Sequence, residues 1–350
     1  MSQKKKKSIF KRLISFVLFI GLIGACVAGY FYNKHFITKN ISFSKKEVFL
    51  FIPKNSTQKS IFEQIKKLEI TKDFDSFKWL AEKKNYRGKN IVFGNYRIQN
   101  NWSNNQLVNH LRAGNGRLDA TVHFNNVRTL RNLADEMSKE IELDSDEIYE
   151  WLTNPENAKK YGFNKQTIVS MFLPNTYRVD FDISVEALMK RMAKEYKKFW
   201  NETRVAKLKK CNLTQSECAT LASIVFSETN SKKDRKTVAG VYMNRLRIGM
   251  PLQADPTLIF ALNDYSIRRV LNKHKEINSP YNTYMYKGLP PGPINIPPIS
   301  YLDAVLDYQK HDYLYFCAKE DLSGESNFAK TYSQHLVNAR KYQNMMNKRK

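Results

Sequence analysis

Leu221-Ala222-Ser223-Ile224-Val225-Phe226-Ser227-Glu228-Thr229 is the stretch on which the reading of this chain turns, because it sets a carboxylate where an apolar side chain belongs. As a helix, Cys218, Leu221, Ala222, Ile224 and Val225 recur at spacings of three and four and form one apolar stripe, which Glu228 continues. Thr214 followed by Glu217 is a capping box that starts this helix, with Leu213 and Cys218 placed as a hydrophobic staple. Glu217 is thereby accounted for by backbone hydrogen bonding. Glu228 lies near the other end, where the helix dipole favours cations, and needs another reason. A carboxyl group held partly out of water shifts toward its protonated form, the state a general acid requires. The helix pattern by itself favours a plainer account, a buried ion pair or a hydrogen bond to a neighbouring loop.

Downstream residues supply a setting for the acid. Val238, Val241, Tyr242 and Leu246 form the inward face of a second helix ending near Gly249, with Asn244 and Arg245 riding on it. Residues 250–257 read as a loop turned by prolines, with Gln253, Asp255 and Thr257 alternating. Tyr281-Asn282-Thr283-Tyr284 and the Pro/Gly-rich residues 288–295 make two more stiffened loops. Aromatic rings that cover sugar faces, with amides that bind hydroxyl or acetamido groups, are what a carbohydrate groove requires. Candidate groove residues are therefore Asn244, Gln253, Asp255, Tyr281, Asn282 and Tyr284. Each also has a structural reading: Asn244 as a cap or helix cross-link, Tyr281 and Tyr284 as core, and Asp255 as a turn-former through side-chain to backbone bonds. Arg245 serves equally as an ion-pair partner or a substrate contact.

Upstream, residues 47–53 read as a strand ending at Pro53, Ser56 or Thr57 caps a helix through Ile61, Ile65 and Leu68, and a second helix runs through Phe74, Phe77, Trp79 and Leu80. Gly94-Asn95-Tyr96-Arg97-Ile98 turns into another strand, and a helix through Leu107, Val108 and Leu111 stops before Gly114 and Gly116. This strand-helix-helix-strand order is an α+β unit with the size of a LysM-like glycan-binding module. A further strand at Thr121-Val122-His123-Phe124 leads into helical patterns at 130–137 and 148–152. Residues 170–177 break the pattern with a proline turn. Residues 188–208 then read as one long basic helix, with Met192, Tyr196 and Phe199 inward and a lysine face that is either solvated or near anionic lipid.

With 350 residues, 42% hydrophobic and 13% aromatic, the chain can bury a substantial core. Its formal charge of +25 falls only to +19 without the six basic residues among the first twelve, a balance that favours anionic partners. Residues 13–32 contain no charge and end in Tyr30-Phe31-Tyr32, the pattern of a membrane span with an interfacial aromatic belt. The preceding Lys/Arg cluster leaves the N-terminus cytoplasmic and the bulk of the chain outside, which argues against nucleic acid as a partner. A cleaved signal peptide and, at Ile23-Gly24-Ala25-Cys26, a lipoprotein signal compete with an uncleaved anchor. The length of the apolar run and its continuation past Cys26 favour the anchor. The cysteines have neither CxxC spacing nor a nearby histidine, so no metal site is expected. Cys211 and Cys218 are either a disulfide or separate apolar residues.

The order Leu221 to Thr229, then Val241-Tyr242-Met243-Asn244-Arg245-Leu246, Leu252-Gln253, Asp255-Pro256-Thr257, Tyr281-Asn282-Thr283-Tyr284 and Gly288-Leu289-Pro290-Pro291-Gly292, closely resembles the YceG-like, or MltG-type, endolytic murein transglycosylases. The resemblance spans nearly the whole chain. It implies an α+β protein with a single N-terminal transmembrane helix, a LysM-like module and an α+β catalytic domain. The segments are then 1–12, a cytoplasmic tail; 13–32, the span; 33–44, a linker; 45–118, the LysM-like module; 119–208, a connecting region; and 209–350, the catalytic domain. It also implies an inner-membrane location, a MurNAc–GlcNAc bond as the target, 1,6-anhydro ends as products, and no cofactor or metal. The partners implied are peptidoglycan glycan strands, the bilayer and wall-synthesis proteins. The family's catalytic glutamate falls on Glu228. Two departures stand out: Phe226 where many relatives have another glutamate, and Asn295-Ile296-Pro297-Pro298 where a shorter turn is common. A non-catalytic peptidoglycan-binding or scaffolding protein is the competing expectation.

Overall fold

A computed structural model describes residues 2–53 and 56–348, with side chains from residue 15 onward. The first helix, α1 (Ser2–Tyr32), continues into a π-helical turn, Asn33–Ile37. Within it Ser15–Ile37 is long and apolar enough to cross a membrane. The basic tail expected at 1–12 lies outside the described side chains. The chain divides into two compact units, residues 1–120 with 180–182, and residues 121–179 with 183–350.

In the first unit, β1 (Val48–Ile52) pairs antiparallel with β2 (Gly94–Ile98). Between them lie α2 (Gln58–Lys67) and α3 (Phe74–Lys83), and α4 (Asn104–Ala113) follows. The period-two alternation of β1 turns Val48, Leu50 and Ile52 onto Ile61, Ile65, Phe77 and Leu107 of the helices. Each such side chain contributes about 1.5–3 kcal/mol when fully buried. Thr57 caps α2 and Ser103 caps α4, both through capping boxes, and Gly114 ends α4 in the left-handed conformation (φ 65°).

Residues 33–44, expected as a polar linker, are instead built into this unit. Ile41 is fully buried, and Asn40 donates to Asn104 Oδ1 at 2.6 Å and to the Asp73 carbonyl at 2.8 Å. Buried His35 meets Ser76 Oγ at 2.8 Å and packs against Trp79. The end of the apolar helix is thus fastened by a connected polar network, which local periodicity does not reveal.

The second unit begins with β3 (Asp119–Phe124), of which residues 121–124 belong to it, and continues through α5 (Leu130–Ser138), α6 (Ser145–Thr153) and α7 (Pro155–Lys160). The proline turn expected over 170–177 gives way at Asn175 to a strand, β4 (Asn175–Asp180), which pairs with β3. The single long basic helix expected over 188–208 is two helices, α8 (Val185–Phe199) and α9 (Glu202–Cys211). Asn201 breaks them apart, its side chain accepting from the Arg204 backbone N–H at 3.0 Å as the cap of α9.

At the centre stands α10 (Gln215–Glu228), packed against α11 (Arg235–Arg247), α12 (Asp255–Leu262) and α13 (Ile299–Leu306). The capping box at its start is present, with Thr214 and Glu217 bonded reciprocally. The single apolar stripe is too narrow a description, because all eight residues from Cys218 to Val225 are buried. Ala219, Ala222 and Ser223 are small enough to let neighbours close in, and Ser223 Oγ accepts the Ile294 backbone N–H at 3.0 Å. β5 (Tyr315–Ala318) and β6 (Ser326–Ala329) form an antiparallel hairpin, followed by α14 (Tyr332–Asn347). Both Cys211 and Cys218 are buried free thiols, so the disulfide alternative is corrected to apolar packing.

Candidate active site

Glu228 is the last residue of α10, and its side chain enters a cavity of about 350 Å³. Tyr242 and Arg245 from α11, Gln253 and Asp255 before and at the start of α12, Tyr284, Tyr315 and Phe316 of β5, and Tyr332 and His335 of α14 complete the wall. Glu228 is half-buried and lines this cavity. The Tyr242 hydroxyl donates to Glu228 Oε1 at 3.0 Å. Burial is the largest influence on the acid and pushes its pKa up to about 7; the Tyr242 bond opposes this, nearby Asp255 reinforces it, and Arg245 opposes it. Tyr242 is itself held far above its ordinary value, first by burial and then by the Glu228 charge, so it remains a neutral donor.

Arg245 is fixed from behind. It is 6% exposed, and donates from Nε to the Leu314 carbonyl at 2.8 Å and from Nη1 to the Leu252 carbonyl at 2.5 Å. Its guanidinium also lies 5.5 Å from the Tyr315 ring centre and 6.0 Å from that of Tyr242. Among the described residues Arg245 makes no ion pair: it ties α11 to backbone carbonyls on either side and brings a cation to the cavity wall. In the same cavity, Asp255 Oδ1 accepts the Tyr284 hydroxyl at 2.5 Å. The prolines near Asp255 do not make a loop through residue 257: Asp255 and Pro256 open α12, where Pro suits the first turn. The backbone bonds expected of Asp255 are made by Thr257, whose hydroxyl donates to the Ala254 carbonyl at 2.7 Å.

Of the six groove candidates, Gln253, Asp255 and Tyr284 share the cavity with Glu228, whereas Asn244, Tyr281 and Asn282 do not. Asn244 is buried and donates to the carbonyls of His311 and Tyr313 at 2.7 and 3.0 Å, cross-linking α11 to the segment before β5. Asn282 is fully buried and donates to the carbonyls of Lys275 and Ile277 while its Oδ1 accepts the N–H groups of Tyr284 and Met285. Tyr281 packs its ring on Phe260 at 4.7 Å. All three build the fold beneath the groove. The amide inventory of the loops could not separate them, because backbone carbonyls claim buried amides before any ligand does.

Sequence patterns do not mark Tyr242, Tyr315, Phe316, Tyr332 and His335 as groove residues, yet all five line the cavity. Tyr242 reads from periodicity as core, which it is; only its hydroxyl distinguishes it. Tyr315, Tyr332 and His335 come from the C-terminal hairpin and helix and stack together, with Tyr315 and His335 ring centres 5.5 Å apart. His335 is kept toward its neutral form by burial and by Arg245, and its Nδ1 is buried with no hydrogen-bond partner.

Residues 50–341 match the profile of the YceG-like family. The chain belongs to this family. It is similar to the endolytic murein transglycosylase of Bacillus subtilis, at 30% identity over 89% of either chain. It is also similar to the endolytic murein transglycosylase of Streptococcus pneumoniae, at 28% identity over 95% of this chain and 65% of that one. Among solved structures, a yceG-like protein from Listeria monocytogenes superposes with a TM-score of 0.55 and 27% identity, covering 84% of this chain and 99% of the other. This YceG-like chain is therefore mixed helix and strand, with one helix among the described residues, at the N-terminus, long and apolar enough to cross a membrane.

Proposed function

We infer that this YceG-like chain is a membrane-anchored endolytic murein transglycosylase that cuts glycan strands with Glu228. The observation that carries the reading is a carboxyl group brought to a pKa near 7 inside a cavity walled by aromatic rings. At neutral pH a substantial fraction of it is protonated. It donates that proton to the oxygen linking MurNAc to GlcNAc as the C1–O bond breaks, and positive charge develops at the anomeric carbon. The resulting Glu228 carboxylate takes the proton of the sugar's own C6 hydroxyl, whose oxygen bonds C1 and leaves a 1,6-anhydro end. Glu228 finishes protonated, and no water is consumed. Tyr242 holds Oε1 in place through both transfers. Asp255, engaged by Tyr284, acts electrostatically on Glu228 rather than as a nucleophile.

The same reading sets the apolar residues 13–32 in the inner membrane, with the basic N-terminus cytoplasmic and the chain after the span outside. The β1-α2-α3-β2 order of the first unit supports a LysM-like, glycan-holding role. Wall-synthesis proteins are the partners such an anchored enzyme would meet, and shortening of nascent strands is its consequence. Purified glycan strands digested with the full-length protein in detergent should yield anhydro ends by mass spectrometry, and the Glu228→Gln variant should yield none. Anhydro ends from both proteins, or from neither, would refute the assignment; the second result would leave a peptidoglycan-binding scaffold.

A further inference from the structure

A second cavity, of about 280 Å³, lies across the ridge made by the end of α10 and the start of α12. Glu228 and Asp255 line the first cavity, while their neighbours Ser227 and Pro256 line the second. Its far wall is the turn at residues 126–128, held against residues 294–296 by a bond from the Ile296 N–H to the Val127 carbonyl at 2.8 Å. Phe226, Phe260 and Tyr265 give it apolar and aromatic faces.

Two groups in this cavity are not used by the reaction described above. Arg128 is exposed, with its guanidinium 4.9 Å from the Tyr265 ring centre, and takes part in none of the ion pairs among the described residues. Asn295 is 6% exposed, and its Nδ2 donates to the Ser223 carbonyl and to Ser227 Oγ, which fixes the amide orientation. Its Oδ1 is buried and has no partner. An orphaned carbonyl oxygen calls for an N–H donor, and a guanidinium without an acid calls for a carboxylate.

The sugars of a murein strand offer neutral hydroxyl and acetamido groups, the latter with an N–H donor but no charge, whereas the peptide branching from the strand offers amide N–H groups and carboxylates together. We propose that this second cavity binds the peptide branch of the strand on which Glu228 acts, with Arg128 pairing a peptide carboxylate and Asn295 Oδ1 accepting an amide N–H. This rests on the transglycosylase reading and extends it from the bond cut to the form of strand preferred. Phe226 forms part of the floor for that branch.

The test uses the full-length Glu228→Gln protein in detergent, titrated calorimetrically with glycan strands carrying their peptides and with the same strands stripped by an amidase. Peptide-bearing strands should bind more tightly, and adding Arg128→Gln should reduce the preference about fivefold, the scale of one partly exposed ion pair. Raising the salt concentration should erode the preference in the same direction. Equal affinity for the two strands, or a preference that Arg128→Gln leaves intact, overturns the proposal. So does tighter binding of stripped strands that Arg128→Gln weakens, which would make the cavity a site for the lactyl carboxylate that the amidase frees. Because binding is read on a protein that cannot turn over, this result is separable from the anhydro ends that test the reaction.

Discussion

Replacing Glu228 by Gln should abolish cleavage and at the same time stabilise the protein in alkaline solution. The folded-state pKa near 7 lies above the ordinary 4.5, so the native state holds a proton that the unfolded chain releases. The sign follows. Glu228 adds no penalty below about pH 4.5, loses stability progressively as pH rises from there through 7, and carries its full cost above 7. The shift of about 2.5 units corresponds to about 3 kcal/mol at 1.36 kcal/mol per unit, an upper figure because the carboxyl opens on a cavity. Gln keeps an acceptor for the Tyr242 hydroxyl and cannot ionise. Urea unfolding of the two proteins in detergent from pH 4 to 9 should therefore give curves that meet at acid pH and separate above neutrality, Glu228→Gln being the more stable. Parallel curves, or a variant less stable at pH 9, would refute the burial argument on which the general-acid role depends.

The remaining tests concern the neighbours of the acid and the scaffold. With protonated Glu228 as the active form, kcat/KM should fall as pH rises through about 7; Asp255→Asn, which removes a charge that raises the acid's pKa, should move that limb to lower pH. Tyr242→Phe removes a bond that lowers the pKa and should move the limb the opposite way, so a pH–rate profile of the two variants separates their effects. Arg245→Met strands the Leu252 and Leu314 carbonyls and should cost roughly 2–5 kcal/mol in a denaturant titration. A Cβ on Gly240 would strike the Gln309 carbonyl and His311, so Gly240→Ala should lower the thermal midpoint by several degrees, on the order of 1–3 kcal/mol of overpacking. Asn104→Ala, which breaks the bonds to Asn40 and Ser76, should cost roughly 1–3 kcal/mol and speed amide exchange over residues 33–44.

Elements with a local cause were legible. Thr214 with Glu217, and Gly114 after α4, mark helix ends because caps satisfy backbone groups within a few residues of themselves. The apolar run ending at Pro53 likewise encodes a strand, whereas its alternating burial is seen only in the structure. What was misread had a competing local signal. The lysine-rich 188–208 run conceals the cap at Asn201, and Pro174 draws attention away from the strand that starts just after it. Asp255-Pro256 reads as a turn although Pro in the first turn of a helix is equally favourable.

The sequence by itself determined that an acid stands at the end of an otherwise apolar helix, that a segment able to cross a membrane lies upstream of both strand-and-helix passages, and that polar and aromatic loops follow the acid. Periodicity, caps and composition act over a few residues, and those features are local. Only the tertiary structure decided that Glu228 looks onto Tyr242, that Gln253, Asp255 and Tyr284 join it while Asn244, Tyr281 and Asn282 hold backbone, and that Tyr315, Tyr332 and His335 close the wall from about a hundred residues away. A buried amide or acid takes whichever partner packing brings within 3 Å, and that partner is set by chain crossings rather than by sequence neighbours.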